Sequence, residues 1–306
     1  MKREKLKLST ILSYALATGS GYQIMGSLVG AYLMIFLTDT FGVPAGAVGV
    51  ITVVASIWDA INDPIMGTIA DRTKSRWGKY RPYFLFIPAI LTVVVVLLFA
   101  SPNIGTHGKI IWTAVFYILY GMLRTAIEIP SGALINAVTD EPSERSKMIN
   151  AYTMVMGICT TIATSFGLSL VSLFGGDNTA KGYMIVVGLA GLIMTITCWM
   201  CFSTTKETCV QHNEQKPLLE EIKSLFHVKG LLSVIAVWLA AYTAYNIMMS
   251  SSVYYIMYCL CRPDLISMYM LDVSLVGLLG IVIIVYEIIP QDTKSICDFS
   301  GCSNYM

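Results

Sequence analysis

The sequence predicts an all-α membrane protein with eight spanning segments: a bundle of six, a polar linker, and the first two helices of a second bundle. Three observations carry that prediction. Charged residues make up 13% of the 306 residues and hydrophobic ones 56%, against roughly 25% charged in an ordinary soluble domain. So few charges could hardly cover a soluble surface, whereas a surface that faces lipid has no such need. Apolar runs of about 20 residues recur along the chain, the length that crosses a hydrocarbon core about 30 Å thick. Lysines and arginines gather in alternate connections between those runs.

The first segment, about 9–37, follows a basic start of Lys2, Arg3, Lys5 and Lys7. Ala15-Leu16-Ala17 resembles a leader-cleavage site. Ser9, Thr10 and Ser13 interrupt the run before it, and the chain stays largely apolar to Leu37, so an uncleaved first span is expected. Segments at about 45–69, 83–101, 109–134, 149–173 and 183–203 follow, with short connections. The stretch 204–230 is polar and holds Lys206, Glu207, Glu214, Lys216, Pro217, Glu220, Glu221 and Lys223. Two further segments lie at about 231–259 and 266–288; the first and seventh are long enough to tilt or to extend beyond the core. The chain thus divides into a six-helix bundle over 1–203, a cytoplasmic linker over 204–230, a partial second bundle over 231–288 and an atypical tail over 289–306. Two bundles joined by a linker form an organisation that places a solute between them near the midplane.

With the N-terminus inside, sixteen of the twenty cations fall in inner segments, and only Lys109, Lys181 and Arg262 fall outside, with Arg124 within a span. That bias predicts a multi-pass protein of the cell membrane with a cytoplasmic N-terminus. The net charge of +1 gives no basic excess toward nucleic acid. Of eight cysteines, Cys159, Cys198 and Cys201 lie in apolar runs, and free thiols are expected. Cys198-x-x-Cys201 has no second ligand pair nearby, so no structural metal is expected. The histidines, His107, His212 and His227, sit in loops or at helix ends. No intramembrane His–metal site or Ser–His pair is present, so an enzyme is not expected.

Four charges fall inside spans: Asp59 and Asp63 on the second, Arg124 and Glu128 on the fourth. Each costs roughly 2.5–3.5 kcal/mol at a membrane helix centre, so they are expected to face a protein interior or a wet cavity. Asp59 and Asp63 are i and i+4, with Asn62 at i+3; all three are expected on one helical face. Arg124 and Glu128 repeat the i, i+4 spacing beside Thr125. Both spans run from outside to inside and both pairs lie at similar depth, so they can meet across one interface. Three carboxylates and one guanidinium leave a deficit of two positive charges. Like charges this close do not all ionise in a low-dielectric site without help; bound Na⁺ or protons would supply the balance. Pro64 and Pro130 free the carbonyls of Ala60 and Ala126 within a turn of the acids, and such oxygens suit hard cations. A plain salt-bridge clamp between the two spans is the alternative. It fits Arg124 with Glu128 better than it fits two acids that repel each other.

Trp58-Asp59-Ala60-Ile61-Asn62-Asp63-Pro64-Ile65-Met66-Gly67 and Ser75-Arg76-Trp77-Gly78-Lys79-Tyr80-Arg81-Pro82 resemble the signature of the glycoside–pentoside–hexuronide:cation symporters, a melibiose permease-like family of the major facilitator superfamily. Tyr117-Ile118-Leu119-Tyr120-Gly121-Met122, running on to Glu128-Ile129-Pro130, continues the likeness, which spans about residues 5–285. The resemblance implies a major facilitator fold, here about eight of twelve helices, and symport of a sugar or glycoside with Na⁺, H⁺ or Li⁺. No cofactor beyond the coupling ion is implied; the partners are the sugar, the cation and the lipid bilayer. It assigns Asp59, Asn62, Asp63 and Thr125 to the cation and Glu128 to the sugar. Tyr22-Gln23 stands where a Lys-Asp pair is expected, and an amide still bonds hydroxyls. Gly132 replaces a stacking Trp, Thr153 a helix-5 Arg, and Arg124 an aromatic. Arg124, Tyr22 and Gln23 are therefore candidate solute contacts, and an arginine in the cavity suits an anionic sugar such as a uronide. Gly67, Asp71, Arg72 and Gly78 resemble the superfamily's loop motif, with Asp71 and Arg72 bracing an inner gate by salt bridges. The family continues through four more helices where this chain reads Pro290 to Met306, so a truncated or frame-shifted reading is expected. A non-transporting fragment and an ion-conducting protein are the alternative functions.

Overall fold

A computed structural model of the chain describes residues 6–176, 178–208 and 229–262, with 265, 268–269, 271–273, 275–277 and 279–280. The described residues form helices and connections, with no strand among them. Six helical runs are long and apolar enough to cross a membrane: Leu8–Thr40, Ala45–Arg72, Arg81–Leu98, Thr106–Val138, Pro142–Gly175 and Thr179–Thr204. The chain is a multi-pass membrane protein, and these runs coincide with the first six predicted segments.

The first run corrects the prediction of one continuous helix. It consists of α1 (Leu8–Gly19), α2 (Gly21–Ile35) and a wide π-type turn (Phe36–Thr40). Ser20, at φ −98° and ψ −105°, separates the first two, and its hydroxyl donates back to the Leu16 carbonyl. The break sits where the chain presses on two later helices. A Cβ at Gly19 would lie 3.0 Å from Tyr152 O and Met156 N, and one at Gly21 would collide with the backbone of Ala190 and Met194. Only glycine permits that approach.

The remaining helices are α3 (Ala45–Arg72), α4 (Arg81–Leu98), α5 (Thr106–Val138), α6 (Pro142–Gly175) and α7 (Thr179–Thr204). Helices α3 and α5 run on through Pro64 and Pro130, as membrane helices allow when neighbours re-satisfy the freed groups. The fifth segment begins earlier than the apolar pattern indicates because Pro142 opens the helix, its missing N–H being no loss in a first turn. Helix α1 packs on α6 and α7, α4 on α5 and α7, α3 on α5, and α2 on α6 and α7. Phe36, Phe99 and Tyr183 seal one end of the core, with ring centroids 5.0–5.5 Å apart.

The cation-rich connections share the opposite end. The Leu6 N–H donates to Glu144 at 3.2 Å, Thr10 to the Thr204 carbonyl at 3.4 Å, and the Thr208 N–H to the Ala137 carbonyl at 3.0 Å. The Lys109 ammonium donates to the Phe41 carbonyl at 2.6 Å at the other end, where α3 and α5 both begin. Helix α8 (Lys229–Tyr254), continued by the turn Tyr255–Cys259, occupies the seventh predicted segment. Residues 209–228 of the linker, most of the eighth segment and the tail after 280 lie outside the described residues. Cys159, Cys198, Cys201, Cys259 and Cys261 are free thiols.

Candidate functional site

Helices α3 and α5 run in the same direction and pack together. Asp59 and Asp63 of α3 meet Tyr117, Tyr120, Gly121, Arg124, Thr125 and Glu128 of α5 around a cavity of about 210 Å³, with Ala55 completing the wall. The two charged pairs therefore do share one space.

Each acid has a distinct environment. The Thr125 hydroxyl donates to Asp63 Oδ1 at 2.9 Å. Asp59 lies against α5 at Gly121, where a Cβ would stand 2.6 Å from its Oδ1. Glu128 Oε2 accepts from the Tyr22 hydroxyl at 2.9 Å, and Arg124 Nε lies 3.4 Å from the same oxygen. Arg124 Nε also donates to the Tyr22 oxygen at 3.3 Å. Tyr22, Arg124 and Glu128 thus close a three-membered network that joins α2 to α5. Among the described residues no lysine or arginine nitrogen lies within 4.0 Å of either Asp59 or Asp63.

Burial separates the residues further. Tyr22 and Thr125 are 7% and 8% exposed, while Asp63 is exposed. The Arg124 and Glu128 side chains are 47% and 58% exposed. The cavity therefore opens away from the six-helix core. Asn62, expected on the face of the two acids, is buried at 7% and does not line the cavity. Its amide nitrogen has no hydrogen-bond partner among the described residues. Gln23 turns to α6, where its amide donates to the Tyr152 hydroxyl at 3.3 Å.

The loop motif lies at the cation-rich end. Asp71 Oδ1 pairs with Lys79 at 3.0 Å and accepts from the Tyr80 hydroxyl at 3.0 Å. Gly78 holds φ +113°, which only glycine adopts freely. Gly67 faces open space. Arg72 is exposed and forms no ion pair among the described residues. Among the described residues the motif's ion pair is thus Asp71, in the last turn of α3, to Lys79 of the connection that follows.

Sequence reasoning quoted Tyr117, Tyr120 and Gly121 only as part of the family likeness, without a site role, and passed over Tyr152. Gly121 and Tyr117 precede Thr125 by one and two helical turns, so i, i+4 spacing from Thr125 was the signal that placed them on its face. Tyr152 lies on another helix and carried no such signal.

Residues 14–288 match the sequence profile of a family described as MFS/sugar transport protein. The chain is 31% identical over 285 residues to the inner membrane symporter YicJ of Escherichia coli K12, covering 92% of the chain and 61% of that relative. It is 34% identical over 265 residues to the isoprimeverose transporter of Lactiplantibacillus pentosus, covering 84% of the chain and 54% of the relative. It is 30% identical over 253 residues to a putative glycoside/cation symporter, YagG, of Escherichia coli K12, covering 81% and 54%. The chain therefore spans less than two thirds of the length of each of these relatives.

Proposed function

The chain belongs to the MFS/sugar transport protein family, and on that premise we propose that it carries a sugar or glycoside across the cell membrane by symport with Na⁺ or H⁺. The family is one of transporters, not enzymes. The names of the isoprimeverose transporter and the glycoside/cation symporter support a sugar as the solute and a cation as its partner. The observation that carries the reading is the unequal pairing of the cavity's charges. Arg124 is engaged with Glu128 and Tyr22, whereas Asp59 and Asp63 share the cavity with no cationic side chain in salt-bridge range among the described residues. Two acids at i, i+4 repel each other unless a positive guest or a proton sits between them.

In this reading Asp59, Asp63 and Thr125 hold the cation, with Asn62 beside them. Glu128, Tyr22, Arg124 and Gln23 meet the sugar hydroxyls, or its carboxylate where the sugar is anionic. Loading the acids with a cation removes the repulsion at one end of the cavity and leaves Glu128 paired at the other. The ion therefore favours the conformation that receives the solute, and the linkage is reciprocal. In the same reading the N-terminus and the Asp71–Lys79 loop face the cytoplasm.

Uptake by the purified chain in lipid vesicles tests this. Isoprimeverose and a panel of labelled glycosides are offered under an imposed Na⁺ gradient, a pH gradient or neither. Uphill accumulation is expected under one gradient, and Asp63→Asn is expected to abolish it. Accumulation retained in Asp63→Asn, or cation flux that proceeds without any sugar, rejects the proposal.

A further inference from the structure

One carboxylate organises the cation-rich end of the bundle. Helix α4 starts at Arg81 with Pro82 next, so its opening N–H groups have no acceptor within the helix. Glu207, just past the end of α7, accepts the first of them, Arg81 N–H at 2.9 Å, together with the two N–H groups that lead into the helix, Lys79 at 2.6 Å and Tyr80 at 2.8 Å. A carboxylate at a helix N-terminus is doubly favoured, by these bonds and by the helix dipole. The loop is shaped to receive it. A Cβ on Gly78 would stand 2.7 Å from the Glu207 carboxylate.

The neighbours close around this contact. Arg81 Nη2 donates to the Phe202 carbonyl at 2.5 Å and Nη1 to the Trp77 carbonyl at 3.1 Å, while its guanidinium lies 4.7 Å over the Phe202 ring. The next residue, Thr208, donates its N–H to the Ala137 carbonyl at 3.0 Å and its hydroxyl to the Val138 carbonyl at 2.9 Å. Residues 207 and 208 thus tie together the start of α4, the end of α5 and the end of α7.

We propose that Glu207 is the positioning residue of the Asp71–Lys79 pair, and that it couples this pair to the end of α7. The bond from the Lys79 N–H fixes the backbone from which the Lys79 ammonium reaches Asp71. Movement at the end of α7 is therefore delivered to the loop motif. The inference does not depend on which solute or ion is carried.

The test uses the whole chain in detergent micelles. Hydrogen exchange reads the amides of residues 79–81, and acetylation by an N-hydroxysuccinimide ester reads the Lys79 amine. Lys147, paired with Glu144 at 2.6 Å, serves as the internal reference. In the wild type the three amides are protected; free exchange there overturns the proposal without any variant. Glu207→Ala is expected to speed their exchange by at least about tenfold and to raise Lys79 labelling several-fold, with Lys147 unchanged. Gly78→Ala, which places a methyl group against the carboxylate, reproduces that pattern. Asp71→Asn raises Lys79 labelling alone and leaves the amides protected. Unchanged Lys79 labelling in Glu207→Ala, or an equal rise at Lys79 and Lys147, overturns the proposal.

Discussion

Replacing Gly121 by alanine perturbs the cavity at the point where Asp59 lies against α5. The added methyl group would stand 2.6 Å from Asp59 Oδ1, and carbon–oxygen contacts settle at about 3.3 Å. The carboxylate must therefore retreat by about 0.7 Å. A cation held about 2.4 Å from that oxygen would then sit about 3.1 Å away. At an effective dielectric of about 20, their attraction falls from about 7 to about 5.4 kcal/mol. The loss of about 1.5 kcal/mol corresponds to roughly tenfold weaker cation binding, and relaxation of the ion toward Asp63 reduces this to about three- to tenfold. The assay is the half-saturating Na⁺, Li⁺ or H⁺ concentration for solute uptake in vesicles. Gly132→Ala on the same helix is the control: a Cβ there meets open space, so alanine only adds helix stability of about 1 kcal/mol. Half-saturation within twofold of wild type for every cation in Gly121→Ala, or an equal change in Gly132→Ala, refutes the reasoning.

Tyr22→Phe removes the hydroxyl that donates to Glu128 and accepts from Arg124; solute binding should weaken by about 1–2 kcal/mol with helix content unchanged, and wild-type affinity by calorimetry counts against Tyr22 as part of the solute end. Burial alone would lower the Lys79 pKa, but its bonds to Tyr80 and Asp71 outweigh that and hold it above the ordinary 10.5. The stability it contributes is therefore fully present below pH 10.5 and lost as the pH rises through the raised value; the melting difference between wild type and Lys79→Met should stay level from pH 7 to 10 and shrink above, and a difference that vanishes below pH 9 contradicts the pairing. Asp63→Cys should react readily with a charged, membrane-impermeant thiol reagent, which needs a hydrated thiolate. A cysteine at Ile196, exposed on α7 beside Leu192, Ile193, Trp199 and Met200, should resist it; equal rates at the two positions would show that position 63 does not face a wet cavity.

The first six spans were legible because a bilayer imposes a length that the apolar runs display without tertiary context. The break at Ser20 was not, because Gly19-Ser20-Gly21 interrupts α1 only where the backbones of α6 and α7 press against it. The pairing of Asp59 with Asp63 was legible from i, i+4 spacing, and their meeting with α5 from matched depth. Asn62 shows where such reasoning ends. At i+3 from Asp59 it lies about 60° round the helix, and that offset suffices to bury it while Asp63 stays exposed. Tyr22 was singled out by position, yet its bonds to Glu128 and Arg124 depend on how α2 is set against α5. Glu207 read as one of several linker charges; only the fold brings it to three amides more than 120 residues earlier in the chain.

The distribution of charge also favours the proposed cation site over a static clamp. A clamp joining α3 to α5 would place the one guanidinium between the helices, against Asp59 or Asp63. Arg124 instead pairs with Glu128 on its own helix and with Tyr22 of α2, so among the described residues no salt bridge ties it to α3. Among the described residues, α3 is joined to α5 in the cavity by a single side-chain hydrogen bond, Thr125 to Asp63, with Asp59 set against a glycine. A hydroxyl donor leaves the negative charge in place, and a glycine adds no side chain to neutralise it. Both acids therefore keep oxygens clear of any salt bridge among the described residues, and under the proposed function the contact between α3 and α5 would respond to a small cation or a proton bound there. That dependence is what a coupling site requires and what a permanent salt bridge would abolish.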